Sequence, residues 1–130
     1  VSEGITRSRL PKDNQVICTL GNKEVASLAK EIGNTRTAAA IHFWEEYINK
    51  SVVVFGNAPT ALFYFLETLS KRSDLCPIAV VGCPVGFVGA AESKEALWNR
   101  REINSLVVKG RLGGSAVAVA AINAIAQEKE

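Results

Sequence analysis

Gly82-Cys83-Pro84-Val85-Gly86-Phe87-Val88-Gly89-Ala90-Ala91-Glu92-Ser93-Lys94 is the stretch around which the chain is organised. The apolar run Ile78-Ala79-Val80-Val81 leads into it, and residues 94–101, with helical spacing, leave it. That pattern is a buried strand, a glycine-rich turn and a helix. Glycines at 82, 86 and 89 let the backbone turn sharply and come close to a ligand. Pro84 fixes one φ angle and withholds one amide donor. In an open α/β sheet, ligands bind at the carboxyl ends of strands, where turns of this kind sit.

Downstream, residues 105–108 form another apolar strand, closed by Gly110-Arg111-Leu112-Gly113-Gly114-Ser115. Residues 115–126 are alanine-rich and apolar nearly all round, so a well-buried helix is expected there, followed by an exposed tail at 127–130. Upstream, residues 51–55 are a β-branched strand that runs into Gly56-Asn57-Ala58-Pro59-Thr60. Pro59 stands where a first helical residue should, opening a helix over 59–69. Residues 71–74 read as a solvated loop.

Further back, Thr35 caps a helix over 35–50 whose apolar face is Ala40, Ile41, Trp44, Tyr47 and Ile48. Residues 24–32 share a face through Val25, Leu28, Ala29 and Ile32, and Gly33-Asn34 ends that helix. Residues 16–20 read as a short strand and residues 1–14 as an irregular loop. The order is strand, helix pair, then three strand–helix units. It predicts a single α/β domain over residues 1–130, with a parallel sheet and helices on both faces.

The chain has 130 residues, 48% hydrophobic and 22% charged, which is enough for a real core and unlike a disordered segment. A formal charge of +2 is too small to imply nucleic acid. No apolar run approaches the roughly 20 residues of a membrane span, and no stretch reads as a secretory signal. Cys18, Cys76 and Cys83 are an odd number without CxxC spacing, read as reduced, partly buried thiols of a cytoplasmic protein rather than zinc ligands. No methionine is present. The expectation is a processed start or a piece of a longer chain.

Three strand-to-helix turns, at 56–60, 82–94 and 110–115, are expected on one sheet edge, because right-handed crossovers put all strand carboxyl ends together. Each feeds a helix N-terminus with free amides and positive dipole. With Lys94 and Arg111 beside two of them, the edge reads as a site for an anionic small molecule. No phosphate-loop or dinucleotide fingerprint is present, since Gly82-x-x-x-Gly86-x-x-Gly89 has neither spacing. His42, the lone histidine, falls among Glu45, Glu46 and Asn49 on a polar helix face and reads as a surface residue. Cys83 reads as a strand-end structural thiol, with a nucleophilic role as the less favoured alternative. Arg36 stands in a first helical turn, against the dipole, where a bidentate carboxylate partner would explain it as well as plain solvation does. Arg7 and Arg9 are further candidates for carboxylate contacts.

Several of these strings resemble the signature segments of the precorrin-8X methylmutase family. They are Gly56-Asn57-Ala58-Pro59-Thr60-Ala61-Leu62-Phe63, Pro84 through Lys94, Gly33-Asn34-Thr35-Arg36-Thr37-Ala38-Ala39-Ala40 and Gly110 through Ser115. Gly4-Ile5-Thr6-Arg7-Ser8-Arg9-Leu10-Pro11 is similar to the stretch before the family's first strand here. The likeness runs in order over nearly the whole chain, and the Pro84–Lys94 string is highly specific.

The resemblance implies a flavodoxin-like three-layer α/β/α sandwich with a mainly parallel sheet. It implies an isomerase of cobalamin biosynthesis that moves a methyl group from C-11 to C-12 of a corrin-type macrocycle, giving hydrogenobyrinic acid or its cobalt counterpart. It also implies a homodimer, an anionic tetrapyrrole substrate and no metal or organic cofactor in the chemistry. Arg36 matches a substrate-contacting arginine of the family. Thr6, Arg7, Asn57, Thr60, Gly86, Phe87, Val88, Ser93 and Lys94 are carried over as further substrate contacts. The family's proton-donating histidine lies in an N-terminal region without a counterpart in these residues, so no catalytic residue is expected among them. His42 does not match it, because the family commonly has lysine there, and Glu3 stands where members often have histidine. The chain thus looks like the carboxyl-terminal two-thirds of a methylmutase. Two other readings remain beside this one: a corrinoid-binding domain without turnover, and a flavodoxin-like domain for FMN or another phosphate-bearing cofactor.

Overall fold

The computed structural model describes residues 1–126. Three short runs rich in β-branched or small apolar residues make its sheet: β1 (Val52–Phe55), β2 (Ala79–Gly82) and β3 (Ser105–Val107), in spatial order β1-β2-β3 and all parallel. The register pairs Val53 with Val80, Phe55 with Gly82 and Gly82 with Val107. Successive strands are joined by α3 (Pro59–Lys71) and α4 (Ala90–Asn99), and α5 (Ser115–Ile125) follows β3. Before the sheet come α1 (Val25–Ile32) and the short α2 (Arg36–Ala40), which pack on each other through Val25, Ala29, Ala39 and Ala40.

Strand alternation sorts the core onto two faces. Val53, Phe55 and Val80 face α3 and α4, joining Ile41, Ile48, Leu62, Phe65, Leu66 and Leu97 in the main core. Its centre is aromatic: Phe55 and Phe65 have centroids 5.3 Å apart, with Trp44 at 5.8 Å from Phe55. Val81 and Cys83 face the other way and meet Ala118 of α5, with Val54 alongside. Helices therefore lie on both sides of a parallel sheet, as expected.

Four expectations are corrected. Residues 16–20 form no strand. Thr19 instead anchors this segment to α2 and its continuation, with Oγ1 donating to the Ala40 carbonyl at 2.7 Å and accepting from Trp44 Nε1 at 2.9 Å. Ile17 and Leu20 are left exposed. The helix expected over 35–50 is capped by Thr35, whose side chain accepts from the Ala38 amide, but it tightens into 3-10 turns at Ile41–Trp44 and Ile48–Lys50. Ile41, Phe43, Trp44 and Tyr47 are weak helix formers crowded into one segment. Helix α4 begins at Ala90, four residues before the expected start, because Ala90-Ala91-Glu92-Ser93 already extends it.

The fourth correction concerns α5. It is not buried all round: Ala118 is its one buried residue, while Val117 and Ile125 are exposed. A three-stranded sheet is narrow, and α5 covers only part of its second face. Val52 and Leu106, on that face, remain 47% and 40% exposed. The expected tail at 127–130 lies outside the described residues.

Candidate functional site

The three turns after β1, β2 and β3 meet and bond to one another at the carboxyl edge of the sheet. Gly114 N–H donates to the Cys83 carbonyl at 2.7 Å, and Gly86 N–H to the Arg111 carbonyl at 3.1 Å. Asn57 links the first turn to both others: its Oδ1 accepts from Ser115 N–H at 3.0 Å, and its carbonyl accepts from Val85 N–H at 3.4 Å. Gly113 lies so close to the second turn that a Cβ on it would sit 2.3 Å from the Cys83 carbonyl oxygen.

Above this braced backbone the side chains are apolar and open to solvent. Phe87 is 80% exposed, Val88 90% and Leu112 73%. The Arg111 guanidinium lies over the Phe87 ring, 5.0 Å from its centroid, so a cation borders the apolar surface. Helices α3, α4 and α5 all start at this edge, and none has a side-chain N-cap hydrogen bond, whereas α2 has one from Thr35. The positive dipole ends of three helices without side-chain caps are thus gathered at this edge. Pro59 contributes no N–H, and Ser115 N–H is already taken by Asn57. Glu92, in the first turn of α4, offsets part of that positive field. The edge offers an apolar platform, one arginine and several backbone donors, a combination suited to a flat ligand bearing carboxylates.

Under the platform sits a buried pair. Lys94 is 1% exposed and its Nζ donates to the Leu112 carbonyl at 2.6 Å. Burial holds its ammonium below the ordinary lysine value, opposed by the nearby Cys83. The fully buried Cys83 thiol is pushed up by burial, opposed by Lys94, so it is a protonated structural thiol at neutral pH. Cys18 and Cys76, expected to be partly buried, are exposed free thiols.

The structure brings together some of the expected contact residues and separates others. Asn57, Thr60, Gly86, Phe87 and Val88 belong to the turn edge or the helix start beside it. Ser93 and Lys94 do not face it. With α4 starting at Ala90, both lie on its inner side, and Ser93 Oγ donates to the Ala90 carbonyl at 3.0 Å. Direct contact with a bound molecule at the surface is thus not what either side chain is placed for.

Thr6 lies along α5, its N–H donating to Asn123 Oδ1 at 2.8 Å, and Arg7 follows it as an exposed residue of the same segment. Asn123 is eight residues beyond Ser115, roughly 12 Å down the helix from the edge. Arg36 is exposed at the start of α2, and among the described residues no hydrogen bond ties it to the three turns. His42 is exposed and meets the Tyr64 hydroxyl of α3. The exposed Leu112 was not singled out from the sequence. Its signal was an apolar side chain inside a glycine turn, where solvation favours polar ones.

A family model for precorrin-8X methylmutase matches residues 1–128. A precorrin-8X methylmutase of Pseudomonas aeruginosa is 56% identical over 131 residues, covering 100% of this chain and 62% of its own length. One from a Sinorhizobium species is 54% identical over 128 residues, covering 98% of this chain and 60% of its own. The chain thus spans about three fifths of the length of these relatives. Among solved structures, the precorrin-8X methylmutase of Thermus thermophilus superposes with a TM-score of 0.81 at 34% identity, over 96% of this chain and 60% of that one. The turn strings, the parallel α/β architecture and these matches agree: the chain belongs to the precorrin-8X methylmutase family.

Proposed function

We propose that the turn edge holds a carboxylated corrin macrocycle and that the protein to which this chain belongs moves a methyl group on it, as a methylmutase of cobalamin biosynthesis. The observation that carries this is the joining of three glycine turns into one edge, with Phe87, Val88 and Leu112 exposed above it and Arg111 at their side. An apolar platform of this kind takes the flat face of a macrocycle. Arg111 and the positive N-terminal ends of α3, α4 and α5 take its acetate and propionate carboxylates. Family membership supports the reaction class; the edge supplies a place for the substrate.

These residues bind and orient rather than move protons. Cys83 is buried and protonated, Lys94 is committed to a carbonyl, and His42 pairs with Tyr64. This favours the second reading, that these residues alone hold a corrinoid without isomerising it. We include a homodimer in the proposal, supported by the bared apolar residues Val52 and Leu106. A reducing, cytoplasmic setting is supported by three free cysteines. Among the described residues, no helix is long and apolar enough to cross a membrane.

The test is to mix the protein with precorrin-8X and follow the absorption spectrum. Conversion to hydrogenobyrinic acid supports the methylmutase. A saturable spectral change without product supports the binding reading. No change of either kind sinks both.

A further inference from the structure

The ammonium of Lys94 is buried beneath the turn edge and makes its hydrogen bond to a backbone carbonyl. Burying a lysine is costly, and an apolar side chain of similar volume would fill the space without that cost. What the ammonium supplies is a hold on the turn between β3 and α5. That turn carries positive φ at Gly110, Gly113 and Gly114, and glycine-rich backbone is entropically expensive to keep in one shape. Besides the bond from Ser115 N–H to Asn57 Oδ1 at its far end, the turn is held by two backbone bonds, from Gly86 N–H to Arg111 and from Gly114 N–H to Cys83. The bond from Lys94 is charge-assisted, 2.6 Å long, and lands on Leu112, between Arg111 and Gly114 in the turn. Leu112 directly follows Arg111, so freedom at the Leu112 carbonyl becomes freedom at the arginine.

We propose that Lys94 is a positioning residue: through the Leu112 carbonyl it holds the β3–α5 turn in the shape that lays Arg111 over Phe87. This deepens the proposed function and rests on the turn edge being the binding site. Lys94 acts from below and contributes no contact of its own.

The test has one arm that needs no ligand. In Lys94→Met, amide hydrogen exchange at Gly86 and Gly114 rises by about tenfold or more. Exchange at Val80, whose N–H donates to Asn104 within the sheet, stays unchanged. In the second arm, hydrogenobyrinic acid is titrated as the probe. Lys94→Met weakens its binding about tenfold in the natural chain and less than about twofold in an Arg111→Ala background, because the two substitutions act through one contact. If Lys94→Met does not fold, Lys94→Gln, which keeps a polar donor, takes its place in both arms.

Unchanged exchange at Gly86 and Gly114 overturns the proposal. So does a rise shared equally by Val80, which would make Lys94 a general stabiliser. An equal loss of affinity in both backgrounds overturns it as well. If the natural chain does not bind hydrogenobyrinic acid, the reading of the edge as a macrocycle site falls, and the exchange arm alone decides the role of Lys94 in the turn.

Discussion

Cys83 is fully buried at the end of β2, and burial pushes its thiol above the ordinary 9.0. In the folded chain it keeps its proton at a pH where the unfolded chain has begun to lose it. Its contribution to stability is therefore complete below pH 9.0 and declines as pH rises through the folded value. Denaturant unfolding should show the stability difference between the natural chain and Cys83→Ala shrinking above that pH. A thiol reagent at neutral pH should modify Cys18 and Cys76 quickly, and Cys83 only after denaturant is added. Arg36 carries a separate prediction. On the proposed role of Arg36 as a carboxylate contact outside the turn edge, Arg36→Ala should weaken hydrogenobyrinic acid binding by about 1.5–3 kcal/mol. Unchanged affinity would reject that role and leave the edge intact. At this scale the sequence was partly legible. The polar setting of His42 and the cap at Thr35 followed from helix geometry. The inward turn of Lys94 did not, because it depends on where α4 starts, and helix starts shift easily when small residues such as Ala90 and Ala91 precede them.

The elements that matter most are the connections. Strands β1, β2 and β3 and helices α3, α4 and α5 were legible because each pairs an apolar run with a proline or glycine stop. Residues 16–20 have the same apolar look but belong to no sheet, since strand character requires a neighbouring backbone and not only side chains. The 110–115 turn is where shape is most demanding. Gly113 has φ +152 and no room for a Cβ against the Cys83 carbonyl, whereas Gly21 meets nothing within 4 Å. Gly113→Ala should cost at least about 2 kcal/mol in urea unfolding, and Gly21→Ala less than about 0.5 kcal/mol. Equal effects would show that the close contact between the second and third turns does not exist in solution.

For the whole molecule, the second face of the sheet sets the expectation. Val52 and Leu106 leave apolar sheet surface that α5 does not cover, and Val117 and Ile125 of α5 add exposed apolar surface of their own. Burial at about 25 cal/mol per Å² favours its removal from water. On the proposed homodimer, light scattering should give twice 13.9 kDa, and Leu106→Glu should return the chain to one copy. A single-copy mass for the natural chain at tens of micromolar would remove the dimer from the account. The layered α/β plan was readable from the alternation of elements, but the bared face was not. An apolar helix such as α5 looks the same in sequence whether the sheet beneath it is wide or narrow. The central claim is that the joined turns form a surface for a carboxylated macrocycle. Its most direct measurement is a titration of this chain with hydrogenobyrinic acid, followed by absorption at low and raised salt. The account predicts a saturable shift with one site per chain, weaker at raised salt and lost in the double variant Phe87→Ala with Arg111→Ala. A titration without saturation, or one that the double variant leaves unchanged, would contradict it.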